Sequence, residues 1–111
     1  MGDLNKSLTF ANEITNTIME KKTMYALTFC YEGYENNIPT ATTIAVSDSM
    51  QRLQEEMARC VEEDTRVDEE DEWCDDCNFI VMENYGHYVK LRHIHRTELY
   101  QTYIITSVNY V

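Results

Sequence analysis

Hydrophobic positions recur along this chain in two periods, and the switch from one to the other marks its elements. From residue 3 to residue 20 the apolar side chains Leu4, Leu8, Ala11, Ile14 and Ile18 fall three or four apart, on one face of a helix. Asp3 is placed to cap this helix, and Lys21 and Lys22 follow its last turn, where cations suit the negative end of the dipole. Thr9, Thr15 and Thr17 lower its intrinsic propensity. It therefore needs a surface to pack on, either the domain or a second copy of the chain.

At residue 24 the period drops to two. In MYALTFCY, residues 24–31, Tyr25, Leu27, Phe29 and Tyr31 share one side, and Met24, Ala26, Thr28 and Cys30 share the other. Two apolar sides suit an interior strand covered on both faces. Residues 32–39 hold Gly33, Asn36, Asn37 and Pro39 and read as a turn. The β-branched run TATTIAV, residues 40–46, then reads as the second strand of a hairpin.

Ser47 is expected to end that strand and cap a helix, with Asp48 and Ser49 in its first turn. Met50, Leu53, Met57, Cys60 and Val61 form its apolar stripe, and Glu55 and Arg59 are spaced for an ion pair one turn apart. Glu62, Glu63 and Asp64 carry the wrong sign for a helix C-terminus, so the helix is expected to fray there into a loop. Period two returns in residues 78–83 and 88–94, joined by a turn at residues 84–87 in which Gly86 can take a positive φ. It returns again in residues 99–110, the longest strand candidate.

The order is α-β-β-α-β-β-β. Connections among the last three strands are too short for parallel crossovers, which makes them an antiparallel meander. The expected fold is α+β: a single, mostly antiparallel sheet of about five strands, with one main helix packed on a face and a peripheral N-terminal helix in residues 1–22. At 111 residues and 43% hydrophobic content the chain is expected to form one domain, residues 1–111.

Charge changes this picture at one place. Residues 62–76, EEDTRVDEEDEWCDD, hold ten of the twenty acids against the single base Arg66, a net of −9 out of −11. The rest of the chain is nearly neutral at −2. Such a balance disfavours direct contact with nucleic acid or anionic lipid and favours basic partners or cations. No apolar run approaches the ~20 residues of a membrane span. The start, MGDLNKS, lacks the apolar core of a secretory signal, and Lys6 stands where myristoylation needs Ser or Thr. The expectation is a cytoplasmic protein with reduced cysteines.

Five constellations bear on chemistry. Trp73, Cys74 and Cys77 have the W-C-x-x-C spacing of thiol–disulfide redox motifs, but carboxylates flank both thiols and a strand follows, the reverse of what stabilises a thiolate. The same pair can supply half of a tetrahedral zinc site, with His93 and His95, two apart on a strand, as candidates for the remaining ligands and Cys30 and Cys60 as further ones. Against this, a lone C-x-x-C with H-x-H is not finger spacing. Acids at 68–76 lack the glycine and the alternation of a calcium loop. No nucleophile elbow, phosphate loop or Gly-rich phosphate cradle is present, so an enzyme would have to use His93 or His95 with carboxylates in a concave pocket that contains them. Tyr88, Lys90 and Arg92, extended by Arg96 and Tyr100, read as the solvated side of a sheet rather than a base-stacking platform.

The reading expected to carry function is thus a small, non-enzymatic interaction module. It presents Asp68, Glu69, Glu70, Asp71, Glu72, Trp73, Asp75 and Asp76 to a basic protein surface, as a regulator, an inhibitor or a mimic of nucleic acid. The alternative is a small zinc-binding domain built on Cys74, Cys77, His93 and His95. Homodimerisation through the N-terminal helix, or through the last strand if that strand is an edge, is a further expectation.

Overall fold

The structure is a computed structural model that describes residues 23–33 and 40–109. Five strands form one antiparallel sheet: β1 (Met24–Glu32), β2 (Thr40–Ser47), β3 (Phe79–Asn84), β4 (Tyr88–His93) and β5 (Tyr100–Val108). Their spatial order is β2-β1-β5-β4-β3, and helix α1 (Met50–Asp64) lies between β2 and β3 in the chain. The expected N-terminal helix falls outside the described residues. Among those described, no helix is long and apolar enough to cross a membrane.

The two hairpins are neighbours in sequence, but the sheet is closed by a long-range pairing. β5 returns to lie between β1 and β4, with Leu27 opposite Ile105 and Phe29 opposite Tyr103 on one side, and Val89 opposite Tyr103 on the other. This corrects the idea of the last strand as an edge through which the chain pairs with a copy: both its flanks are occupied. The edges are β2 and β3. Both carry register irregularities, and β3 places Glu83 on its length, devices that blunt edge-to-edge association.

Period-two alternation sorts the two faces. Leu27, Val89, Leu91, Tyr103 and Ile105 meet Leu53 and Met57 of α1 in the core, with Phe79 entering from β3. Each fully buried Leu or Phe of this set contributes on the order of 2 kcal/mol. Met50, Cys60 and Val61 complete the helix stripe as partly buried neighbours. On the opposite face Lys90 lies over the Tyr100 ring at 4.7 Å, and Arg92 pairs in register with Tyr100. That face is half-exposed, as expected for Lys90 and Arg92.

Helix α1 departs from expectation at both ends. Its cap is Ser49, whose hydroxyl accepts from the Arg52 amide at 3.2 Å, while the Ser47 hydroxyl accepts from the Ser49 amide at 3.0 Å. Ser47 thus ends β2 and leaves the cap to the residue two positions on. At the C-terminus the helix does not fray at Glu62; it continues through Asp64. Arg59 bridges Glu56 and Glu63 rather than pairing with Glu55. The Thr65 hydroxyl and amide both donate to the Val61 carbonyl. Asp64, the last helical residue, accepts from the Tyr103 hydroxyl of β5 at 2.5 Å. These contacts supply what the helix dipole withholds and tie the root of the acidic segment to the central strand.

Gly33, just past β1, has φ +93°, and a Cβ there would lie 2.0 Å from the Glu98 carbonyl oxygen. Gly33→Ala is expected to lower stability by more than about 1 kcal/mol, through both the left-handed backbone and the clash, measured as a fall in the urea midpoint.

Burial raises the Asp64 carboxyl from 3.8 to about 6, against the lowering effect of Tyr103, with Glu63 and Asp76 adding to the rise. The folded state then holds this proton more tightly than the unfolded chain, so the stability tied to it is lost as pH rises from 3.8 to about 6. Wild type is therefore expected to lose stability relative to Asp64→Asn across that window. A difference that stays constant with pH in chemical denaturation would contradict this assignment.

Candidate functional site

The acidic segment between α1 and β3 is folded around one residue. Asn78 is 1% exposed and has φ +66°, a left-handed backbone that asparagine tolerates better than most residues. Its amide donates to the Arg66 carbonyl at 2.9 Å, and its carbonyl accepts from the Ile94 amide at 2.8 Å. Its side-chain oxygen accepts from the Asp68 amide at 2.8 Å, and its side-chain nitrogen donates to the Asp71 carbonyl at 3.0 Å. One residue thereby fixes three points of the loop backbone, Asp68 and Asp71 through its side chain and Arg66 through its amide.

Two acids are used up in the same work. The Asp68 Oδ1 accepts from the amides of Glu70 and Asp71, and the Asp71 Oδ1 accepts from the Trp73 amide. These are turns of the kind aspartate makes with the backbone two residues on.

The far end of the loop is held by β4 and the connection after it. His93, fully buried, packs edge-on against Phe79 at 5.0 Å. Its Nδ1 accepts from the amides of His95 and Arg96, which leaves the proton on Nε2, donated to the Cys74 carbonyl at 3.0 Å. Arg96 donates to the Trp73 carbonyl at 2.9 Å, pairs with Asp75 at 3.0 Å, and lies over the Trp73 ring at 5.6 Å. Sequence reasoning placed Arg96 in a basic sheet patch; the structure places it on the acidic loop.

The remaining acids are free of such duties. Glu69, Glu70, Glu72 and Asp76 are exposed, and among the described residues no cation pairs with their side chains. Trp73 is 57% exposed, with the His95 ring 6.4 Å away. The eight residues predicted for partner binding therefore divide. Asp68, Asp71 and Asp75 build the loop, and Glu69, Glu70, Glu72, Trp73 and Asp76 face outward. Glu62, Glu63 and Asp64 belong to the helix.

The four residues predicted as a zinc set also divide. Cys74 and Cys77 approach each other, and their Sγ atoms and an Asp68 carboxylate oxygen all lie within 4.8 Å of one another. His93 is engaged at both ring nitrogens, and His95 is an exposed ring outside this cluster. Two residues apart does not mean one face here, because β4 ends at His93. Asp68 is the member sequence reasoning missed as a ligand; its ten-residue distance from Asn78, which brings it to the cysteines, carries no local signal. The Cys77 thiol is buried, and that burial together with Cys74 pushes it up to about 11, far from a reactive thiolate. Cys30 and Cys60 are half-buried free thiols, Cys60 against the core.

An open groove of about 560 Å³ runs between α1 and the β3–β4 hairpin, lined by Gln54, Met57, Ala58, Val61, Asn84 and Val89, with Glu62 as its one ionisable group. It contains neither His93 nor His95. Comparison with known protein families, with curated proteins and with solved structures returned no match for this chain.

If Asn78 organises the loop, Asn78→Gly isolates the side-chain bonds and Asn78→Ala adds the cost of a left-handed alanine. Both are expected to destabilise, the first by about 1–3 kcal/mol for the buried groups left unpaired. The second should cost roughly 1 kcal/mol more. Equal midpoints for the two variants in urea unfolding would argue against the backbone part of this account.

Proposed function

We propose that the outward side of residues 66–77 is a docking surface for a basic protein, and that the chain acts as a non-enzymatic regulator or inhibitor of that partner. The supporting observation is the division of labour within the loop. Its backbone is fixed by Asn78, His93 and Arg96, while Glu69, Glu70, Glu72 and Asp76 remain exposed, as does Trp73. A fixed loop loses little conformational freedom on binding, which favours affinity. The carboxylates steer a cationic partner and set orientation, and an exposed tryptophan supplies apolar contact area of the kind that dominates interfaces. Dense carboxylates beside one aromatic ring share charge and shape with phosphates beside a base, so a basic groove that ordinarily holds nucleic acid is the partner surface that fits best. A cytoplasmic setting, in which the four unbridged thiols stay reduced, belongs to this reading.

The test is capture of proteins from a cell extract by the full chain and by a variant carrying Glu69→Gln, Glu70→Gln, Glu72→Gln and Asp76→Asn. Proteins held by the wild type are expected to be basic and to be lost between about 0.05 and about 0.5 M salt, as screening shortens. The variant should bind them at least about tenfold more weakly, with a urea midpoint no lower than that of the wild type, because among the described residues these side chains make no ion pair and Asp76 only repels Asp64. Capture that ignores both salt and neutralisation would remove the proposal.

A further inference from the structure

We propose that Asp68, Cys74 and Cys77 form a binding site for a soft divalent cation, zinc by the chemistry of its donors, on the inner side of the acidic loop. This site uses none of the outward carboxylates and stands independently of the docking surface.

The geometry is that of a chelate already closed in the fold. The two sulfurs and the carboxylate oxygen lie within 4.8 Å of one another although Asp68 and Cys77 are nine positions apart in the chain. Thiolates on a shared tetrahedral zinc, at about 2.3 Å each, sit within roughly 4 Å of each other, so binding asks only for small side-chain adjustments. The backbone beneath them is fixed. Cys74 donates its amide to the Asp71 carbonyl and offers its carbonyl to His93, and Cys77 is fully buried next to Asn78. Asp68 satisfies the Glu70 and Asp71 amides through Oδ1 alone, which leaves Oδ2 for an ion. Secondary partners that fix a ligand's orientation are what tune a metal site.

The donor set selects the metal. Two sulfurs and one carboxylate suit zinc over magnesium or calcium, which want oxygen alone. Three protein ligands leave a fourth position for solvent, on the half-exposed Cys74 side. On binding, each thiol loses its proton to solvent and a sulfur–metal bond replaces it; no electron is transferred, and two protons are released per ion.

Cobalt(II) is the probe, added to the reduced full chain. A sulfur-to-cobalt charge-transfer band saturating at one ion per chain, abolished by added zinc, is expected. Cys74→Ser should remove the band, and Asp68→Asn, whose side-chain oxygen can still accept from the two amides, should weaken binding by at least about tenfold. The fourfold neutral variant of Glu69, Glu70, Glu72 and Asp76 should keep it. Zinc should raise the thermal midpoint of wild type and not that of Asp68→Asn. The proposal fails if reduced wild type gives no such band, if the band survives in Cys74→Ser, or if it disappears in the neutral variant, which would mark adventitious binding to surface acids.

Discussion

Asn78 holds the molecule's two dissimilar parts together. It stands where the acidic segment meets the sheet, buried, in a left-handed conformation, with hydrogen bonds to Arg66, Asp68, Asp71 and Ile94. A side chain able both to donate and to accept, on a residue that tolerates positive φ, is what the junction requires, and asparagine combines these properties. Without it, a loop with a net charge of one sign would have no internal reason to fold, since its carboxylates repel one another and it carries few apolar groups to bury.

The loop is anchored at three further points, each belonging to the sheet or to the connection before its central strand. Tyr103 binds Asp64 where the helix ends, His93 binds the Cys74 carbonyl, and Arg96 clasps Trp73 and Asp75. The neutral part of the chain therefore contributes few cations but several well-aimed polar groups. Most of the acidic side chains stay in water, where their charge costs little, while the backbone beneath them is satisfied by neutral donors and acceptors. This resolves the apparent conflict between a segment that should be disordered by composition and one that is locally well bonded.

The proposed docking surface and the proposed metal site draw on different residues of the same loop. Glu69, Glu70, Glu72, Asp76 and Trp73 are exposed; Asp68, Cys74 and Cys77 converge on one another. A cation bound within would reinforce the support that Asn78 and His93 already give. The outward charge would still favour a basic partner, because uptake of one divalent ion with release of two protons leaves the segment's net −9 unchanged.

Alternation and helical spacing were enough to locate β1 through β5 and the start of α1 to within a residue or two, because these periods record which side chains leave water, and burial is a local property of the pattern. Sequence alone also established that the charge is concentrated in residues 62–76 and that Gly86 can take the positive φ the structure gives it. What it could not reach depends on which distant segments meet. Short connections place β5 beside β4, but nothing local pairs it with β1, sends Arg96 to the acidic loop instead of the sheet face, or brings Asp68 beside Cys74 and Cys77. Nor does it show that His93 spends both ring nitrogens on backbone. Those outcomes follow from the closing of the sheet and from where each unpaired backbone group then finds its partner, and only the tertiary structure decides that.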